Sequence, residues 1–138
     1  MKNFYIQQKK LQSEDFNFME NIRINNLCLL DFLHGFCNIF ALCLHNIYHY
    51  EIMNVYNYDK SLIHSFCIYH KNNKRYFIDV RGITTDLNEF LIDFEDWIDI
   101  DDFFEHPSDN IYYILKTDED KRIYSICEKI IKEYNIYF

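Results

Sequence analysis

Cys37, His64 and Asp79 are the side chains whose types and surroundings point to chemistry. Cys37 lies in Gly35-Phe36-Cys37-Asn38-Ile39-Phe40-Ala41-Leu42-Cys43-Leu44-His45, where a small residue, a cysteine and an apolar run at helical spacing put one thiol at the start of a buried helix. Unpaired backbone N–H groups and the positive end of the helix dipole favour thiolate there, and thiolate is the nucleophilic form. His64 follows in Leu62-Ile63-His64-Ser65-Phe66-Cys67-Ile68-Tyr69, and Asp79 in Tyr76-Phe77-Ile78-Asp79-Val80-Arg81-Gly82. An imidazole near neutrality takes a thiol proton, and a carboxylate behind it fixes the ring tautomer and stabilises the imidazolium. Each residue also has a plainer use: Cys37 as a buried structural thiol, His64 as a core or edge histidine, and Asp79 as the salt-bridge partner of Arg75 or Arg81.

The elements that must carry these residues are legible from pattern. Residues 1–12 are polar and lysine-bearing; Ser13 then caps a short helix with Glu14 and Asp15 in its first turn and Phe16, Met19, Ile22 and Ile24 as its apolar stripe, broken by Asn25-Asn26. Leu27 to Leu33 is apolar without a clear period, and Gly35 marks a change of direction. A helix is expected from about Cys37 to Tyr48, with Phe40, Ala41, Leu44 and Tyr48 on one stripe. From Glu51 the pattern changes to β-type runs, Ile52 to Tyr58, Leu62 to His70 and Arg75 to Arg81. Asp86 with Glu89 has the form of a capping box, opening a helix with Leu87, Phe90, Leu91, Phe94 and Trp97 on its stripe. Ile111 to Leu115 reads as a final strand, and Asp118-Glu119-Asp120 opens a last helix that turns Ile123, Ile126, Cys127, Ile130 and Ile131 inward.

Lys71-Asn72-Asn73-Lys74 provides a geometric test, because two asparagines tolerate the positive φ angles of a hairpin turn. With Asn72 and Asn73 as the turn, His64 opposes Arg81 and Phe66 opposes Asp79. His64 and Asp79 then share one face as diagonal neighbours roughly 7 Å apart. The fold expected is α+β: a nucleophile helix packed on an antiparallel sheet of roughly three to five strands, with flanking helices, and residues 1–138 forming one domain.

Cysteine on a helix, then histidine on a strand, then aspartate on the next antiparallel strand resembles the catalytic core of the papain-like and transglutaminase-like cysteine enzymes. Gly35-Phe36-Cys37 with Phe40-Ala41-x-x-Leu44 looks like the nucleophile-bearing helix of that superfamily, and the likeness spans about residues 35 to 82. It implies Cys37 as nucleophile, His64 as general base and acid, and Asp79 as the residue that orients His64. The implied activity is that of a small hydrolase or acyl-transfer enzyme acting on an amide in a protein or peptide: a peptide bond, an isopeptide or a glutamine side chain. The longer papain-type motif, with a second cysteine and an aromatic close to the nucleophile, is absent. For the oxyanion, Gln7 and Gln8 lie close to the N-terminus, which leaves Asn25, Asn26 or backbone N–H groups as donors.

Charge points to a reading of a different class. The formal net charge is -8, and between Asp86 and Asp109 there are ten acidic residues and no Lys or Arg. Such a stretch is either a solvated helix and loop or a face that repels nucleic-acid phosphate and attracts a basic protein surface. In the second case Asp93, Asp96, Asp99, Asp101 and Asp102 form the face, and the protein is a non-enzymatic inhibitor or adaptor occupying a basic groove, such as the nucleic-acid channel of a defence nuclease. That role is also open to a papain-like scaffold that has lost its activity.

Cysteine count and composition bound the remainder. Five cysteines, at 28, 37, 43, 67 and 127, form no C-x-x-C pair, and several are embedded in apolar runs, as expected for reduced thiols in a cytoplasm. His34, His45 and His49 lack the carboxylate and spacing of a zinc site, so neither metal nor cofactor is expected. The longest apolar run, around Ile39 to Leu44, is far below the ~18 residues of a membrane span, and Met1-Lys2-Asn3-Phe4 gives way to Gln and Lys rather than an apolar core. Aromatic content of 19% with only 2 Gly and 1 Pro excludes low-complexity and collagenous classes. Abundant Asn, Ile, Tyr and Lys is the style of a phage, plasmid or effector protein.

Overall fold

Helix and strand periods alternate along the chain, and the computed structural model arranges them as an α+β fold around an antiparallel sheet. It describes residues 23–24, 27–28, 31–57, 59–91, 104–107, 115–133, 135 and 138. In order these form β1 (Arg23–Ile24), β2 (Leu27–Cys28), α1 (Asp31–His34), α2 (Cys37–Tyr48), β3 (Glu51–Tyr56), β4 (Leu62–Lys71), β5 (Lys74–Asp79), β6 (Gly82–Thr84), α3 (Leu87–Leu91), β7 (Phe104–Pro107) and α4 (Asp118–Glu133). β1 and β2 pair with each other, and the other five strands form a second sheet in the order β6-β5-β4-β3-β7.

The central hairpin has the expected register. Asn72 and Asn73 take φ of 53° and 61°, the left-handed pair a tight turn requires, and β4 pairs with β5 from Lys71↔Lys74 through Cys67↔Ile78. The chain beyond Asp79 departs from expectation. β5 ends there instead of continuing to Arg81; Val80 and Arg81 turn the chain into β6, with Asp79 paired to Gly82. Gly82 at φ 107° makes this reversal possible, since a side chain at that φ is strained. Arg81 therefore occupies a turn beside Asp79 rather than a ladder position opposite His64.

α2 runs over the stretch expected, about Cys37 to Tyr48, and ends where His49 turns left-handed at φ 63°. Its entrance is tight. Gly35 and Phe36 both donate backbone N–H to the Asp31 carbonyl at 2.9 Å, and a Cβ on Gly35 would meet that oxygen at 3.3 Å. Ile39, Phe40, Ala41, Leu42, Cys43 and Leu44 are buried, as are Ile123, Ile126, Cys127, Ile130 and Ile131 of α4, which packs on α2. Each of those isoleucines stabilises the fold by roughly 1.5–3 kcal/mol relative to exposure.

One expectation is corrected here, and two stretches without a clear pattern are resolved. Ile24 belongs to β1 rather than to a helix; residues 13–22 of that expected helix lie outside the described residues. Within the apolar stretch Leu27 to Leu33, Leu27–Cys28 forms β2 and α1 begins at Asp31; residues 29–30 lie outside the described residues. β7, which has no alternating apolar signal, pairs with β3 at Met53↔Pro107 through Tyr56↔Phe104. The strand expected at Ile111 to Leu115 lies outside the described residues except for Leu115, which is not in a strand. Asp86 caps α3 as expected, its Oδ1 accepting the backbone N–H groups of Asn88 and Glu89 at 3.0 and 3.2 Å. No helix among the described residues is long and apolar enough to cross a membrane.

Candidate functional site

Cys37 opens α2, so its side chain sits where the helix leaves its first N–H groups without intrahelical partners. The Phe36 cap position supplies no side-chain hydrogen bond, and the backbone N–H of Asn38 favours the thiolate. From β4 the backbone N–H of Ser65 donates to Cys37 Sγ at 3.4 Å. The imidazole of His64, next to Ser65, lies close enough to the thiol to lower its pKa.

His64 is held from its other side. Its Nε2 lies 2.9 Å from Asp79 Oδ2, which leaves Nδ1 as the ring nitrogen for the thiol. The ring stacks on Phe66, centroids 5.9 Å apart at 13°, and lies 5.8 Å from Phe90. Phe66 and Phe90 are themselves 4.7 Å apart, so the imidazole can turn only by displacing packed rings. His64 pairs with Val55 in the sheet, at the point where the β3–β4 register slips between Val55 and Tyr56. Such irregularities re-aim side chains near sites.

Asp79 accepts from a second partner. Its Oδ1 takes the Arg81 backbone N–H at 2.8 Å and Arg81 Nε at 3.2 Å, while Oδ2 takes Arg81 Nη2 at 2.7 Å. Arg81 Nη2 also donates to the Phe90 carbonyl at 2.9 Å, and the guanidinium carbon lies 5.0 Å from the Phe90 ring centroid. Cys37, His64, Asp79 and Arg81 thus form one buried polar chain.

Electrostatics follow from that chain. Burial pushes the Cys37 thiol up, but His64 by hydrogen bond and charge, with the N–H groups of Ser65 and Asn38, outweighs it and the pKa is lowered. Burial pushes the His64 imidazole down, yet the bonds to Asp79 and Cys37 win and its affinity for a proton is raised. Burial also opposes ionisation of Asp79; Arg81 and then His64 overcome this and hold the carboxyl well below the usual range. All three shifts are in the direction that favours the charged form: thiolate, imidazolium and carboxylate. Cys43, by contrast, is pushed up to about 12 by burial and by the charge of Glu128.

The structure therefore brings together the three residues that sequence spacing singled out. Of the two salt-bridge partners considered for Asp79, it places Arg81 there; Arg75 lies over the Phe77 ring, 4.9 Å from its centroid. Sequence reasoning missed that Arg81 and His64 share Asp79, although an arginine two positions after the aspartate and just before Gly82 was the available signal for a turn that folds the guanidinium back. The donors Asn38 N–H and Ser65 N–H leave no trace in side-chain identity. Gln7, Gln8, Asn25 and Asn26 lie outside the described residues, as do Asp93, Asp96, Asp99, Asp101 and Asp102. Among the described residues no group of three or more His, Cys, Asp or Glu side chains is placed to hold a metal, and His45 Nδ1 lies 2.6 Å from the Tyr50 carbonyl oxygen. In comparisons with protein-family models, curated proteins and solved structures, no match was found.

Proposed function

We propose that the protein is a cysteine hydrolase or acyl-transfer enzyme that acts on an amide of a protein or peptide, on a core of the papain-like and transglutaminase-like kind. The observation that carries the reading is that Cys37, His64 and Asp79, from a helix and two neighbouring strands, meet in one buried cluster in which His64 bonds Asp79 and lies close enough to Cys37 to lower its pKa. The order of the elements, nucleophile helix before the antiparallel strands that carry base and acid, supports the core assignment.

The chemistry follows from the geometry. The Cys37 proton passes to His64 Nδ1, and the thiolate attacks the amide carbonyl carbon, forming a C–S bond while the carbonyl electron pair moves to oxygen. Backbone N–H groups at the start of α2, with that of Ser65, are the nearby donors for the oxyanion. His64 then gives its proton to the departing nitrogen as the C–N bond breaks, leaving a thioester on Cys37. Water or an amine, deprotonated by His64, releases the acyl group and restores the thiol. Asp79 keeps Nε2 protonated throughout and so keeps Nδ1 aimed at sulfur.

The test is incubation with a mixed peptide library followed by mass spectrometry, wild type against Cys37→Ser. Peptide cleavage, glutamine deamidation or amine exchange that vanishes in Cys37→Ser is the expected result. A library left in the same state by both proteins would overturn the enzyme reading.

A further inference from the structure

We propose that Arg81 is a positioning residue which balances the charge of the buried Cys37–His64–Asp79 chain, so that the core carries no net charge either before or after the proton moves from sulfur to imidazole. The inference rests on the thiolate reading of Cys37 above and extends it to a fourth residue.

The geometry exceeds what a structural ion pair needs. Arg81 is 0% exposed and meets Asp79 through its backbone N–H, Nε and Nη2, and its Nη2 reaches the Phe90 carbonyl of α3 as well. Asp79 Oδ2 is shared between Nη2 at 2.7 Å and His64 Nε2 at 2.9 Å, so rotation of the carboxylate would break bonds to both. The guanidinium thus fixes the oxygen against which the imidazole is oriented.

Charge arithmetic supplies the second argument. With a neutral thiol and neutral imidazole, Asp79 and Arg81 sum to zero. With thiolate and imidazolium, the four groups again sum to zero. Without Arg81 both states carry one uncompensated negative charge, and the desolvation cost of a buried charge is large. The charged and titratable groups on this chain come from several elements: Cys37 from α2, His64 from β4, Asp79 from β5 and Arg81 from the turn, with Cys67 of β4 close enough to feel the charge of Asp79. α3 presents the Phe90 carbonyl and ring to Arg81, while its Glu89 accepts from Thr84 Oγ1 at 3.4 Å.

Loss of the positive charge makes every proton on the chain harder to remove, so the pH profile of Cys37 should move as well as its amplitude. The experiment measures the rate of Cys37 alkylation by iodoacetamide against pH, by mass spectrometry of the intact folded protein, for wild type, Arg81→Lys and Arg81→Met, with guanidinium unfolding of each. In Arg81→Met the acid limb of the profile should move up by about one pH unit or more, a tenfold change in proton affinity. In Arg81→Lys, which keeps the charge, it should move by less than half of that. An acid limb that stays in place in folded Arg81→Met, or that moves equally in Arg81→Lys, overturns the proposal.

Because Arg81→Met leaves Asp79 without its main partner, Asp79→Asn/Arg81→Met provides a second reading. Removing both charges together should give a protein more stable than Arg81→Met alone, including the case in which the single variant does not fold. A double variant no more stable than Arg81→Met contradicts charge balance. Failure of the thiolate reading itself has a different signature, since the acid limb of wild type would then lie at or above the ~8.5 of a free thiol.

Discussion

Cys37 and Cys43 lie on the same helix and are both buried, yet their surroundings push them in opposite directions. Cys37 stands in the first turn, 8% exposed, with the Ser65 N–H on its sulfur and with His64 and the Asn38 N–H also lowering its pKa. Cys43 is 0% exposed among the apolar residues of mid-helix, where the N–H groups are already committed and burial acts almost unopposed. Cys67 makes the point from the sheet: it is close along β4 to His64, but its thiol donates to the Ala41 carbonyl at 3.2 Å and its pKa is raised by burial. How readily a thiol ionises in this protein is set by the helix end and by what β4 and β5 bring to it, and not by the cysteine residue alone.

The largest way to break that contrast is at Asp79. Asp79→Ala removes the acceptor of a buried guanidinium and of a buried imidazole, and should cost about 3–5 kcal/mol of stability, read by denaturant unfolding. Acid should imitate it. The carboxyl is held below its ordinary value, so its contribution is present above about pH 4 and is lost as pH falls through the depressed folded value. Wild type should therefore lose stability on acidification more steeply than Asp79→Asn.

His64→Ala comes next. It leaves Cys37 at the helix end but takes away the base, and alkylation of Cys37 near neutral pH should slow by on the order of 100-fold. Equal rates in wild type and variant would mean that helix position alone activates the thiol. The smallest effect belongs to the other cysteine: Cys43→Ala should cost about 1–2 kcal/mol through the cavity it leaves, with the Cys37 labelling rate unchanged.

Local pattern made a good part of this molecule legible before any coordinates. Helix α2, its first residue and the Asn72-Asn73 hairpin follow from period and turn chemistry, and together these two features bring His64 and Asp79 to one face. β7 was not legible because Phe104-Glu105-His106-Pro107 has neither alternation nor β-branched residues; its place comes from pairing with β3 across a long stretch of sequence. The end of β5 was misplaced for a related reason. Asp79-Val80-Arg81 continues the strand pattern, and the early turn depends on Gly82 at positive φ and on a guanidinium that folds back on Asp79. Buried charge of that kind leaves little mark on hydrophobic periodicity, which is why the partner of Asp79 was harder to foresee than its face.

The most direct measurement compares the thiols within one native protein: the pH dependence of iodoacetamide labelling at each cysteine, followed by peptide mapping from about pH 4 to about pH 9. Cys37 should be labelled first and retain its rate well below the ~8.5 of a free thiol, while Cys43, Cys67 and Cys127 stay unreacted until the protein unfolds. A Cys37 rate that rises only through ~8.5 or above, or labelling that falls first on Cys43, Cys67 or Cys127, would contradict an activated thiolate at the start of α2.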